Sequence, residues 1–143
     1  MALCLVAALR TGMRAGELTG LTWPQVRGTH VHLTSGTTKS GAARDVPLSL
    51  KARRVLERAR GLDAVRVFGV SGPVLDTLFR RARGRTGLAG FTFHDARHTA
   101  ATWIGSSGRL SMLEMCKMFG WRDPKHALIY FNPGVGELAA KLG

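Results

Sequence analysis

The chain has 143 residues, 45% of them apolar, and its 21 Lys and Arg against 9 Asp and Glu give a formal net charge of +12. That length and apolar content describe one domain with a real core and exclude a disordered basic tail, while the charge calls for a polyanionic partner, nucleic acid first. An anionic membrane surface would require a basic amphipathic helix with an aromatic apolar face or a lipidation signal, and neither is present.

The opening MALCLVAAL runs only nine residues before Arg10 with no basic residue ahead of it, so it reads as a core helix rather than a leader or a span. Residues 2–10 and 15–21 read as two helices broken at Thr11-Gly12, which puts Arg14 at a helix junction. From Val26 to Leu48 short β-prone pieces separated by Gly28, Gly36 and Gly41 predict a small antiparallel sheet, with Lys39 at the hairpin between its second and third strands. Ala52, Val55, Leu56 and Ala59 then form the apolar stripe of an amphipathic helix whose other face carries Lys51, Arg53, Arg54, Arg58 and Arg60. A helix from Pro73 to about Arg83 repeats the plan with Val74, Leu75, Leu78 and Phe79 inward. Its basic tail, Arg80, Arg81, Arg83 and Arg85, reads as a loop made flexible by Gly84 and as the better candidate for DNA phosphate contacts. From Thr92 on the pattern is helical, over about 94–105, 111–119, 124–131 and 135–142, with breaks at Gly108, Gly120 and Asn132-Pro133. The fold class is therefore mainly α with a small three-stranded antiparallel sheet. Cys4 and Cys116 lie in apolar company without CxxC spacing and read as buried free thiols of a reducing cytosol.

Four cations and one phenol carry the chemistry. In HDARHTAATWI, His94 and Arg97 share a helix face, and Arg97 shares a stripe with Ala100, Ala101 and Ile104. A guanidinium pointing inward calls for a carboxylate, Glu17 among the candidates, or for a bound phosphate. His94 and His98 form an HxxxH pair, but Asp95 follows where a zinc helix has Glu and no third ligand has suitable spacing, so no metal site is assigned. Tyr130 is the single tyrosine. Two arginines such as Arg14 and Arg97 can clamp the equatorial oxygens of a phosphodiester transition state, while a tyrosine attacks. Because a phenol ordinarily titrates near pH 10, Tyr130 needs a proton acceptor, for which His94 is the first choice, with Lys39 protonating the departing 5′-oxygen.

These residues resemble a family, the tyrosine site-specific recombinases, which include the phage and prophage integrases. Its TGxRxxELxxLxW segment stands here as Thr11-Gly12-Met13-Arg14, Glu17-Leu18, Leu21 and Trp23; its HxxRH as His94, Arg97 and His98; and its LGH or LGW followed nine residues later by tyrosine as Phe119-Gly120-Trp121 and Tyr130. Order and spacing agree over about residues 11–142. Lys39, followed by Arg44-Asp45-Val46-Pro47-Leu48, looks like the family's hairpin lysine segment. The resemblance implies DNA cleavage and rejoining in site-specific recombination and integration, through a 3′-phosphotyrosyl intermediate and without metal, ATP or other cofactor. It implies Arg14, Lys39, His94, Arg97, Trp121 and Tyr130 as the catalytic set, with Trp121 a phosphate donor or a core aromatic. Glu17 and His98 would support that set.

The resemblance further implies double-stranded DNA as partner, a homo-tetramer on DNA for the full-length protein, and a cytoplasmic setting in a bacterium or phage-infected cell. Relatives carry an N-terminal DNA-clamp domain and a longer lead-in, whereas thirteen residues precede Arg14, so residues 1–143 are expected to be a catalytic domain alone. Val135 to Leu142 would be the helix that docks on a neighbouring subunit or folds back. Two other readings share these residues: a DNA-binding module with the same fold and no activity in isolation, and a type IB topoisomerase.

Overall fold

The computed structural model describes residues 1–36 and 41–143. Helix α1 (Ala2–Thr11) ends where Gly12 turns left-handed at φ 66°, and α2 (Ala15–Thr19) follows with Arg14 as its N-cap. A 3-10 turn at Trp23–Gln25 leads into β1 (Val26–Arg27), β2 (His30–Leu33) and β3 (Arg44–Pro47), an antiparallel sheet in the order β1-β2-β3. Val31 pairs with Val46 and Leu33 with Arg44, so β2 and β3 turn Val31, Leu33 and Val46 into the core. Chain order puts Lys39 in the connection between these strands, but residues 37–40 lie outside the described residues.

Four helices build most of the core. Helix α3 (Leu50–Arg58) starts at Ser49, whose side chain accepts from the Ala52 N–H at 3.2 Å, and buries Ala52, Val55 and Leu56. Helix α1 packs between α3 and α5 (Asp95–Ser106), and small side chains on both partners, Ala7 and Ala8 with Ala96, Ala100 and Ala101, let α1 and α5 approach closely. Helix α6 (Met112–Phe119) begins with a reciprocal cap between Ser111 and Glu114 and lies against β3. The sequence expectation of mostly helix around one small sheet therefore holds.

The chain departs from expectation in two helices. Helix α4 (Gly72–Arg85) continues straight through Gly84, so the basic tail is helical and not a loop. Thr86 closes it by bonding the Ala82 and Arg83 carbonyls, and the left-handed break comes at Gly87. Within α4 only Leu75 is fully buried, Leu78 and Phe79 are half-buried, and Val74 is 48% exposed. Helix α7 (Lys125–Leu128) is a single turn that stops short of Tyr130, while α8 (Val135–Leu142) buries none of its residues.

Candidate active site

Helix α5 is the presenting element. Asp95 in its first turn accepts from the Thr92 N–H at 2.6 Å and the Thr92 hydroxyl at 2.8 Å, which fixes the helix start at His94. From there the helical period turns Arg97 inward, to 5% exposure. Its guanidinium donates to the Gly12 carbonyl at 2.5 Å and the Phe119 carbonyl at 2.6 Å. Both acceptors stand at helix C-termini, the ends of α1 and α6, where unsatisfied carbonyls carry partial negative charge. The guanidinium also lies 5.0 Å from the Phe119 ring and 5.8 Å from that of Trp121. Arg97 is thus held by dipoles and not by Glu17. Burial, with the nearby Arg14 charge, lowers its pKa to about 10, which still leaves it cationic at neutral pH.

Gly12 makes that cradle possible twice over. Its φ of 66° is the left-handed region, and a Cβ there would lie 2.7 Å from Phe119 Cζ and overlap the rest of that ring edge.

Arg14 reaches the same site from the junction of α1 and α2. Its N–H and Nη1 donate to Glu17 at 2.8 and 3.1 Å. Glu17 is 3% exposed and also takes a fork from Arg44, Nη1 at 2.7 Å and Nη2 at 2.9 Å. Burial by itself would raise the Glu17 carboxyl, but the hydrogen bonds and charges of Arg44 and Arg14 outweigh it and hold it below the ordinary range.

Tyr130 meets these cations from the far side. Its hydroxyl is hydrogen-bonded to His98 Nδ1, and its ring stacks on Trp121 with centroids 5.5 Å apart and planes 7° from parallel. Trp121 stacks in turn on Phe119 at 4.6 Å. Gly105 sets how near the tyrosine comes to α5, since a Cβ there would overlap the Tyr130 carbonyl oxygen and lie 3.0 Å from its carbon. Burial raises the Tyr130 phenol above 10, against an opposing pull from Arg97, so the hydroxyl is protonated at neutral pH. Burial and the charges of His98, Arg97 and Arg14 lower His94 below 6.5, which favours its neutral form. The rings of His94 and His98 meet edge to face at 4.9 Å.

An open cleft of about 710 Å³ collects Arg14, His94, Arg97, His98, Trp121 and Tyr130 on its walls. Among the sequence candidates, Glu17 lies behind this wall and Lys39 is outside the described residues. Arg80, Arg81, Arg83 and Arg85 do not line it; Arg80 pairs with Asp76 at 3.0 Å and Arg83 donates to the Phe91 carbonyl. The structure alters one assignment of place, because the histidine touching the tyrosine hydroxyl is His98 and not His94. Arg44 and Gly105 were not singled out from the sequence. A signal for Arg44 existed: it alternates with buried Val46 on β3, a charge on an inward face.

Comparison with known proteins finds integrases and DNA recombinases. The Phage integrase family model matches residues 1–67. Over 135 residues the chain is 31% identical to the shufflon-specific DNA recombinase of Escherichia coli, covering 94% of this chain and 35% of that protein. The chain is thus similar to phage integrases and DNA recombinases, through the family model over its first 67 residues and through this relative over most of its length. Another relative, the integrase of Salmonella phage P22, is 32% identical over 138 residues, covering 81% of this chain and 35% of its own length. The integrase fold is seen directly in the crystal structure of a lambda integrase dimer bound to a COC′ core site. That structure superposes with a TM-score of 0.74 at 20% identity, over 91% of this chain and 51% of the other. The chain therefore spans about a third to a half of the curated integrases and recombinases it matches.

Proposed function

We propose that this chain cleaves and rejoins double-stranded DNA by the tyrosine route. The carrying observation is the bond between His98 and the Tyr130 hydroxyl inside a cleft that Arg14 and Arg97 also line. Arg14 and Arg97 hold the non-bridging oxygens of the scissile phosphate, and the Trp121 indole N–H, which has no protein acceptor among the described residues, adds a third donor. The Tyr130 oxygen attacks phosphorus while its proton passes to His98 Nδ1, and neutral His94 donates to the phosphate beside it. The bond from phosphorus to the 5′-oxygen breaks as Lys39 supplies the proton, leaving a 3′-phosphotyrosyl link and a free 5′-hydroxyl. Attack by another 5′-hydroxyl reverses the step, so no ATP and no metal is consumed.

The similarity to the shufflon recombinase and the P22 integrase supports recombination or integration as the outcome, and the working form proposed is a homo-tetramer on DNA. In that assembly α8, whose Val135, Leu138 and Leu142 are exposed, docks on a neighbouring subunit. The exposed arginines of α4, Arg80, Arg81 and Arg85, with Arg83 beside them, contact the DNA backbone.

A nicked DNA substrate that loses its short product strand after cleavage tests the reading in EDTA. Wild-type protein should accumulate a covalent adduct and Tyr130→Phe none. An equal adduct yield in Tyr130→Phe refutes the nucleophile. Salt-sensitive binding without any adduct would mark a DNA-binding module with the same fold and no activity. Plasmid relaxation without product joining would instead mark a type IB topoisomerase.

A further inference from the structure

Arg44 stands outside the cleft, yet it joins two of the cleft's walls. Its side chain is 8% exposed. All three of its nitrogens donate, Nη1 and Nη2 to the two oxygens of Glu17 at 2.7 and 2.9 Å and Nε to the Met118 carbonyl at 3.2 Å. The same two Glu17 oxygens receive the backbone N–H and Nη1 of Arg14. The stem of Arg44 packs against the turn that leads into Trp121, since a Cβ on Gly120 would lie 2.9 Å from Arg44 Cδ. We infer that Arg44 is a positioning residue, setting the place of Arg14 through Glu17 and the place of Trp121 through Met118 and Gly120; this rests on the reading that the cleft holds a scissile phosphate.

Three cations face Glu17, namely Arg14 from the start of α2, Arg44 from β3 and Arg97 from α5, which feels the Glu17 charge. Arg44 supplies the largest share of what opposes burial at Glu17. Without it only Arg14 opposes burial, the carboxyl becomes easier to protonate, and Arg14 loses its ionised partner at a higher pH than in the parent. A lysine at position 44 keeps the charge but cannot make the fork.

The test uses Arg44→Met and Arg44→Lys, with two readouts: the Glu17 carboxyl titration by carbon NMR, and the rate of adduct formation on nicked DNA across pH. In Arg44→Met the Glu17 titration should move upward from its lowered position. Adduct formation should fall roughly tenfold to a hundredfold, with the loss deepening toward acid pH. Arg44→Lys should recover part of the rate. A merely structural Arg44 would lower the rate by one factor at every pH and leave Glu17 where it was, and that result overturns the inference. Failure of the parent to form adduct sinks the phosphate reading instead, while an unmoved Glu17 titration in Arg44→Met still overturns the role of Arg44. If Arg44→Met does not fold, a rate and pH profile in Arg44→Lys equal to the parent's overturns it.

Discussion

The Arg97 cradle and the Tyr130 segment face each other across one cleft but are built in opposite ways. Around Arg97 the ends of α1 and α6 meet α5, nearly everything is buried, and the guanidinium bonds backbone carbonyls that cannot rotate away. Around Tyr130 the chain is a one-turn helix anchored by buried Ala127, flanked by Leu128 at 54% and Ile129 at 74% exposure, and followed by a helix with no buried residue. The difference sets deeply buried, backbone-held charge against a tyrosine carried on a segment with few buried neighbours. A phosphate clamp gains from being preorganised, since its donors then need no rearrangement as charge develops. A tyrosine that must approach, attack and withdraw gains from a weakly held segment.

Paired glycines offer the strongest way to break that contrast. Gly12→Ala introduces a Cβ at φ 66° against the Phe119 ring and displaces the carbonyl that holds Arg97. It should cost about 3 kcal/mol or more in urea unfolding, from backbone strain and overpacking together. Gly105→Ala sits at ordinary helical geometry and overlaps the Tyr130 carbonyl, with the Tyr130 Cβ 3.3 Å away. It should leave stability within about 1 kcal/mol yet slow adduct formation roughly a hundredfold, the penalty of a nucleophile displaced by about 1 Å. Equal destabilisation by the two changes would show the tyrosine segment to be as rigid as the cradle.

Trp121→Phe should have a smaller effect, because it keeps an aromatic between Phe119 and Tyr130 while removing the indole N–H. A loss of roughly tenfold in adduct rate with unchanged unfolding is expected, less than the roughly hundredfold for a dedicated oxyanion donor because Arg14 and Arg97 still line the cleft. The smallest effect concerns acid. Glu17 titrates below its ordinary 4.5, so its ion pairs contribute stability that is present above 4.5 and lost as the pH falls through the lower folded value. Glu17→Gln, less stable than the parent at neutral pH, should therefore show a shallower decline in unfolding free energy below pH 4.5. An unchanged slope would place the acid sensitivity elsewhere.

Much of the site was legible in the chain because its parts are local. Three residues on one helix separate His94 from Arg97, and nine residues through a turn separate Trp121 from Tyr130, so spacing alone says which groups travel together. What spacing does not carry is contact between distant segments. The fork from Arg44 to Glu17 joins residues 27 apart, and it lies behind the wall where a motif reading has no reason to look. The choice between His94 and His98 depends on where the Tyr130 segment crosses α5, which Gly105 decides. The end of α4 departs from its sequence pattern for a local reason, since a glycine inside a helix costs about 1 kcal/mol and that is too little to stop a helix that Thr86 caps two residues later.

Peptide mapping of the trapped DNA adduct decides whether Tyr130 attacks the phosphate. One modified peptide is expected, joined through Tyr130 to the 3′-phosphate of the cleaved strand, with a free 5′-hydroxyl on the other product. An adduct on any other residue, or a 5′-phosphate link through Tyr130, would contradict it.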